Sequence, residues 1–477
     1  MAEKTYDVAI IGSGPAGYTA AIRAGQWGLA TCLIEKDDRL GGTCLNVGCI
    51  PTKALLFNAE IYDHLKAGKE FGIEGVDGAK LNWAAIQQRK NKIVTKHNKG
   101  LEFLMRKNKV DTVEGYGRLT GGAQNGVFKV EVYTEGGGGA AGETRFIQAK
   151  NIILATGSEA RMLPGLEPDS RILTNIEILS LNAIPKSLVI VGAGAVGVEF
   201  ASIYKSFDAE VTILEMLPRL VPVEDEEISK ELARVFRKRG INFHTSAKVE
   251  KVSKTKDGIS VSFTADGKQQ TIEAEKILIA VGRKPRTENV GVEKTKIKLD
   301  RGFVTVNEWM QTGEPGIYAV GDIVAGYPQL AHSGAMEGIV AVAHIAGKPE
   351  KPLNPLRIPN CTYCEPQIGS VGLSEAKAKE RGLEVKIGKF PFSANSKASI
   401  VGSHEGFIKV VADAKYEEIL GVHIIGPSAT ELIAESVAAM ELEATAKDLM
   451  WTVHAHPTLS EAMLDAANSV ENLAINI

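Results

Sequence analysis

Asp7-Val8-Ala9-Ile10-Ile11-Gly12-Ser13-Gly14-Pro15-Ala16-Gly17 joins a short apolar run to a Gly-x-Gly-x-x-Gly turn. A helical pattern follows from Tyr18 to Gly28, then a second apolar run, Thr31-Cys32-Leu33-Ile34, ending on Glu35. Strand, glycine turn, helix and strand in this order spell a dinucleotide-binding unit. Gly12 permits the tight turn, Gly14 lets a pyrophosphate approach the backbone, and Gly17 lets helix and strand pack closely. The pyrophosphate would sit on the helix N-terminus, where free N–H groups and the dipole favour anions. Glu35 would accept the ribose hydroxyls.

The pattern recurs. Ser187-Leu188-Val189-Ile190-Val191 leads into Gly192-Ala193-Gly194-Ala195-Val196-Gly197, and Val211-Thr212-Ile213-Leu214 ends on Glu215. The step from Gly12 to Glu35 is 23 residues, and so is the step from Gly192 to Glu215. Each copy is followed by an apolar run closed by a glycine turn, Ala155-Thr156-Gly157 in one and Ala280-Val281-Gly282 in the other. Duplication at this spacing predicts two dinucleotide sites in one chain. In the second copy, Glu215 at the ribose would repel a 2′-phosphate, so NAD is expected rather than NADP. Arg219, four residues on, is the contrary sign.

Directly after the first unit stands Gly41-Gly42-Thr43-Cys44-Leu45-Asn46-Val47-Gly48-Cys49-Ile50-Pro51-Thr52-Lys53, with two of the chain's 5 cysteines. A disulfide needs Cα atoms within about 7 Å. Residues i and i+5 of a regular helix lie roughly 8.7 Å apart. A Cys44–Cys49 bridge therefore requires a distorted helix, which Gly48 permits, with regular helix starting near Pro51. Two structural thiols or half a zinc site are the alternatives, and no second Cys/His pair stands nearby to complete the zinc site. The flanking nucleotide motifs serve redox chemistry, which favours a redox disulfide.

Further along, residues 58–109 read as two helices around a loop holding Gly68, Gly72, Gly75 and Gly78. The second helix carries Lys90, Lys92, Lys96, Lys99, Arg106, Lys107 and Lys109, expected as a solvated face. Residues 110–150 suggest a β-meander with a hairpin tip at Gly136-Gly137-Gly138-Gly139. Ile317-Tyr318-Ala319-Val320-Gly321-Asp322 is a strand ending in an acid that could contact a ribityl or phosphate group, and a helical pattern runs from about 333 to 346. Cys361-Thr362-Tyr363-Cys364 resembles a redox Cys-x-x-Cys but lacks a helix starting at its first cysteine, so strand residues are expected. The chain closes with His454-Ala455-His456-Pro457-Thr458-Leu459-Ser460-Glu461.

With 477 residues the chain suggests about three domains. A net charge of −3 points to neither nucleic acid nor an anionic membrane. No apolar run approaches the roughly 18 residues of a membrane span. The start of the chain runs straight into a strand with no signal or transit segment, so a cytoplasmic protein is expected. The cysteines are too few for a secreted scaffold, and one reactive pair in a reducing compartment is catalytic or redox-sensing.

Taken together, the two fingerprints, the Cys44/Cys49 segment, Gly321-Asp322 and the terminal His-Pro-Thr…Glu resemble the pyridine nucleotide–disulfide oxidoreductases from about residue 5 to 470. Leu330-Ala331-His332 and Glu215 are most like the dihydrolipoamide dehydrogenase branch. The resemblance implies an α/β fold with two Rossmann-like domains and a C-terminal α+β dimerisation domain. Its divisions would be an FAD-binding domain at 1–150, an NAD-binding domain at 151–282, a central FAD-contacting domain at 283–350 and a dimer-interface domain at 351–477. FAD and NAD would be bound by Gly12, Gly14, Gly17, Glu35, Lys53, Thr156, Gly157, Gly192, Gly194, Gly197, Glu215, Gly282, Gly321 and Asp322, with no metal. A dithiol sulfur would attack Cys44, releasing Cys49 as thiolate against the flavin, from which electrons pass to NAD. Lys53 and Glu199 match an ion pair near the flavin. His456 matches the base and Glu461 its orienter, with a helix-capping role for Glu461 as the bland alternative.

The implied partners are a second copy of the chain, whose His456 would complete the site, and lipoylated proteins of 2-oxo acid dehydrogenase complexes or the glycine cleavage system. No lipoyl-type domain precedes the first strand, so docking would use the chain's own surface. The nearest rival is an NADPH-dependent disulfide reductase of the glutathione reductase kind. Mercuric and high-mass thioredoxin reductases need a second C-terminal thiol pair, which 472–477 lack. A flavin-bound regulatory subunit without turnover would not need Cys44, Cys49, His456 and Glu461 intact.

Overall fold

The computed structural model describes residues 4–134, 142–348 and 351–476. The glycine run 136–139 lies outside the described residues. The chain divides into two compact units, one of Met1–Ala54, Gln87–Arg161 and Arg283–Pro355, the other of Leu55–Ile86, Met162–Gly282 and Leu356–Ile477.

In the first unit, β1 (Thr5–Ile11) enters the glycine turn and is followed by α1 (Pro15–Gln26) and β2 (Thr31–Glu35). Next come α2 (Gly42–Val47) and the opening turns of α3 (Cys49–Lys66), then, from Gln87, the body of α4 (Trp83–Lys107). The strands β3 (Asp111–Glu114), β4 (Tyr116–Leu119), β5 (Phe128–Tyr133) and β6 (Thr144–Leu154) complete the stretch. The sheet order is β3-β2-β1-β6-β5-β4, with Ile317–Ala319 also on β6. β4, β5 and β6 form the expected antiparallel meander, whereas β3 pairs parallel to β2. Successive residues of β1 serve opposite cores. Val8 and Ile10 meet Ala16, Ala20 and Ala24 of α1, while Ala9 and Ile11 meet Phe128, Val130 and Val132. Burial on both faces is why the strand reads as one apolar run. Along α4, Lys92, Lys96, Lys99, Arg106 and Lys107 are exposed as expected, as is Lys109 just past its end, but Lys90 is buried and donates to Gln87 Oε1 at 2.5 Å.

In the second unit, a parallel sheet runs in the order Asn242–His244, Glu210–Leu214, Ser187–Val191, Lys276–Ile279, Ile172–Leu173. The helix Ala195–Ser206 follows the second fingerprint. A five-stranded antiparallel sheet, Asn360–Thr362, Gln367–Gly372, Ile419–Gly426, Phe407–Asp413 and Val385–Pro391, carries the helix Glu461–Ser469. Gly388 is required there, because a Cβ would lie 2.1 Å from Ala466 O. Lys409, on the Phe407–Asp413 strand, is buried beneath the helix Glu226–Lys238. Its Nζ reaches Asp225 at 3.1 Å, Glu227 at 2.9 Å and Glu375 at 2.8 Å. Asp225 also caps that helix, accepting the Glu227 N–H at 3.0 Å.

Candidate active site

The two glycine turns are built alike. Gly12 adopts φ +106° and Gly192 φ +102°. A Cβ on Gly12 would meet Ala155 O at 2.2 Å, and one on Gly192 would meet Ala280 O at 2.4 Å. On Gly17 and Gly197 it would lie 1.8 and 2.0 Å from the carbonyl oxygen of Gly12 and Gly192 respectively. The second glycines differ in kind: a Cβ on Gly14 or Gly194 meets nothing within 4 Å. The backbone thus presents open space ahead of each helix N-terminus, which fits an approaching pyrophosphate. Pro15 opens α1 at a position whose N–H would be unpaired in any case.

Both acids face these turns. Glu35 accepts the Ser13 N–H at 2.8 Å, the Ser13 hydroxyl at 2.6 Å and the Asp37 N–H at 3.0 Å. Glu215 accepts the Ala193 N–H at 2.6 Å and the Leu217 N–H at 2.8 Å. Each carboxylate, buried without a cation among the described residues, braces its own loop while lying at the strand end where a ribose would sit. Arg219 is turned elsewhere. It pairs with Glu226 at 3.1 Å and donates to Pro222 O at 2.9 Å.

Cys44 and Cys49 are disulfide-bonded, with Cα atoms 4.7 Å apart. The chain achieves this by breaking the helix at Gly48, between α2 and α3. A Cβ on Gly48 would lie 2.8 Å from Thr43 O, so the close approach demands glycine. Regular helix resumes at Cys49, two residues before the expected start, and leaves Pro51 in the first turn. Both cysteines are half-buried. A Cβ on Gly42 would lie 2.7 Å from Gly14 Cα, so the disulfide segment begins directly against the dinucleotide turn. From α4, Asn98 donates to Leu40 O at 2.9 Å and Asn46 Oδ1 at 3.0 Å, anchoring the segment from behind.

The two closing histidines differ sharply. His454 is half-buried as a residue but its side chain is 6% exposed, with Nε2 against Glu435 at 2.8 Å and Nδ1 against Thr452 O at 2.9 Å, so both nitrogens are occupied. The exposed His456 has Nδ1 2.9 Å from Glu461 Oε1. The other Glu461 oxygen accepts the Thr458 N–H at 2.8 Å. Orienting and capping-type roles therefore coexist, one on each oxygen. Burial opposes ionisation of Glu461, but the Thr458 N–H and His456 outweigh it and hold the carboxyl below its usual range.

Lys53 and the disulfide lie in the first unit, Glu199 and the His456–Glu461 pair in the second. Lys53 is half-buried on α3. Glu199 is buried and accepts the Tyr363 N–H at 2.9 Å. Thr156 Oγ1 donates to Arg286 O at 2.6 Å, and Gly157 (φ +70°) and Gly282 (φ +108°) line open space. Asp322 hydrogen-bonds the Ser158 hydroxyl, which accepts Arg283 Nε at 2.6 Å. Ser158 was not visible as a site residue, because only the pairing of Ser158–Ala160 with Arg283–Pro285 brings it there. Cys361 is on a strand and Cys364 in the turn after it. Burial pushes the Cys364 thiol well up, which removes it as a nucleophile at neutral pH.

The pyridine nucleotide-disulphide oxidoreductase family matches residues 6–338, and the dimerisation domain of that family matches 358–467. A dihydrolipoyl dehydrogenase of Bacillus subtilis is 46% identical over 99% of both chains. One from Rhizobium etli is 45% identical over 100% of both. Among solved structures, LpdA from Mycobacterium tuberculosis superposes with a TM-score of 0.88 at 27% identity, covering 97% of this chain and 98% of its own. The flavoprotein disulfide reductase RclA from Escherichia coli, as a Cu(II) complex, gives 0.84 at 25% identity over 98% and 99%. With its paired dinucleotide turns, its half-buried disulfide and these full-length matches, the chain belongs to the pyridine nucleotide-disulphide oxidoreductase family.

Proposed function

We propose that this chain is a dihydrolipoyl dehydrogenase, oxidising protein-bound dihydrolipoamide to lipoamide with reduction of NAD⁺ to NADH. The observation that carries the reading is the Cys44–Cys49 disulfide in a segment that begins, at Gly42, against the Gly12–Gly17 turn. One substrate thiolate attacks Cys44 Sγ; a substrate–Cys44 bond forms, the Cys44–Cys49 bond breaks, and Cys49 leaves as thiolate. The second substrate sulfur attacks the first, closing the lipoamide disulfide and releasing Cys44. His456 takes the proton of the incoming thiol at Nε2, since Nδ1–H is committed to Glu461. FAD, when bound, supplies the two-electron carrier between Cys49 and NAD⁺.

In this reading Gly12, Gly14, Gly17, Glu35, Thr156, Gly157, Gly321 and Asp322 hold FAD, while Gly192, Gly194, Gly197, Glu215 and Gly282 hold NAD. Lys53 and Glu199 support the flavin from α3 and from the helix after the second fingerprint. In the same reading the chain divides at 1–150, 151–282, 283–350 and 351–477, with Thr156 and Gly157 at the start of the second stretch turned to FAD rather than NAD. The dimerisation-domain match supports a homodimer, and in this reading His456 serves the partner's disulfide. No helix among the described residues is long and apolar enough to cross a membrane, which is compatible with work on lipoylated carriers in the cytoplasm. An NADPH-dependent disulfide reductase would want a cation beside the ribose, yet Arg219 is paired with Glu226.

The test begins with the purified protein, which should be yellow. Anaerobic addition of dihydrolipoamide should produce a long-wavelength absorbance band that Cys49→Ser abolishes, and NAD⁺ should be strongly preferred over NADP⁺. A colourless protein that takes up no FAD sinks the reading. Equal turnover with NADP⁺ replaces it with the reductase alternative.

A further inference from the structure

One carboxyl outside the roles above is tied directly to the Gly321-Asp322 turn. Glu337, on the helix Ala331–Ile345, is fully buried. Its Oε2 accepts the Gly321 N–H at 2.6 Å, and its Oε1 accepts the Ser333 hydroxyl at 2.7 Å. No cation pairs with it among the described residues. Burial, reinforced by the nearby charge of Asp322, pushes its carboxyl up to about 7. A buried carboxyl is costly unless its bonds offset the lost hydration, and here one of its two bonds leads out of its own helix to the loop that carries Asp322.

The helix that bears Glu337 is set down on the dinucleotide cradle. A Cβ on Gly334 would lie 3.0 Å from Gly321 Cα and 3.1 Å from Ala16 Cβ, and one on Gly338 would lie 2.7 Å from Ala16 O. Ala16 is the second residue of α1, just past the open Gly14. Gly321 itself adopts φ +78°, which glycine takes without strain, so the orientation of this turn is left to whatever holds its N–H. Glu337 supplies that hold from below, while the Ser158 hydroxyl and Gln329 Nε2, the latter 3.1 Å from Asp322 O, grip the next residue. In sequence, Glu337 is the single acid of the helix Ala331–Ile345, whose other polar residues are Ser333 and the histidines His332 and His344.

We propose that Glu337 is a positioning residue that, by holding the Gly321 N–H, presents the Asp322 carboxylate to the dinucleotide seated at the N-terminus of α1. The inference rests on the reading that this site holds FAD, and it extends the cofactor site to a residue that need not touch the cofactor.

The measurement is FAD release from the holoenzyme after dilution, followed by the rise of free-flavin fluorescence, with the visible flavin spectrum recorded beforehand. Glu337→Met leaves the Gly321 N–H unpaired, and release should accelerate about tenfold or more. Glu337→Gln keeps an acceptor for that N–H and should restore most of the retention, remaining about threefold faster than wild type. If Glu337 acts through Asp322, either substitution should add nothing in an Asp322→Ala background. Unaltered release and spectrum in both single variants would overturn the proposal, as would a full additive effect on top of Asp322→Ala. Should the Met chain fail to fold, the Gln variant decides by the same comparison: a change present with Asp322 and absent without it supports the proposal, and an equal change in both backgrounds overturns it. A wild-type protein without flavin would instead sink the cofactor reading, a distinct outcome.

Discussion

Glu461 shows how one side chain can carry two demands without compromise. Oε1 faces His456 and Oε2 faces the Thr458 N–H. His456→Gln should lower kcat by roughly 10²–10⁴, the usual worth of a positioned general base. Glu461→Gln keeps an acceptor for only one of the two donors and should lower kcat by about tenfold, with little change in KM for NAD⁺. Steady-state kinetics with dihydrolipoamide checks both, and equal activity of the two variants and wild type would remove the pair from the chemistry. The pair was legible only through the resemblance of the closing His-Pro-Thr…Glu segment to the family pattern, with both residues close together in the chain. What could not be read is that His454, an equal candidate by residue type, has its ring engaged by Glu435. Nor could the bracing of both turns by Glu35 and Glu215, since those backbone donors exist only once the turns have closed.

Elements reveal where local pattern and tertiary context part. The glycine turns, their strands and the break at Gly48 followed from the chain, because each is decided by steric needs within a few residues. Lys409 did not: a lysine on a strand reads as solvent-facing, yet the N-terminus of the helix Glu226–Lys238 and the Glu375 carboxylate close over it. Burial opposes its charge, but the carboxylates outweigh that and hold its ammonium above the usual range. Lys409→Met should leave those acids without their shared cation and cost about 3–5 kcal/mol of stability, measured as a lower denaturation midpoint. Bonds from Lys379 and Lys409 hold the Glu375 carboxyl down to about 2, against 4.5 for the free side chain. Its folded value is depressed, so its contribution is present above about 4.5 and fades as pH falls toward 2. Acid unfolding over that window should therefore be delayed in wild type relative to Lys409→Met, and coincident acid transitions would contradict the assignment.

At the scale of the whole molecule, the discontinuous make-up of the two units was not visible, because 55–86 and 283–355 declare their partners only through packing. The duplication, by contrast, was plain in the spacing. For the homodimer, subunits carrying Cys49→Ser mixed with subunits carrying His456→Gln should regain activity, since one of the two sites in a heterodimer then holds neither lesion. Verified heterodimers without activity, or a fully active monomer, would assign the base to the same chain as the disulfide. The duplicated turns also set a rule for redesign. Because the brace by Glu35 recurs at Glu215, the proposed reading puts coenzyme preference and loop integrity on one carboxylate. Replacing Glu215 to admit a 2′-phosphate strips two backbone donors of their acceptor, so the swap would arrive with a slackened cradle. Remodelling is better begun next door at Met216, whose side chain is exposed and braces nothing among the described contacts.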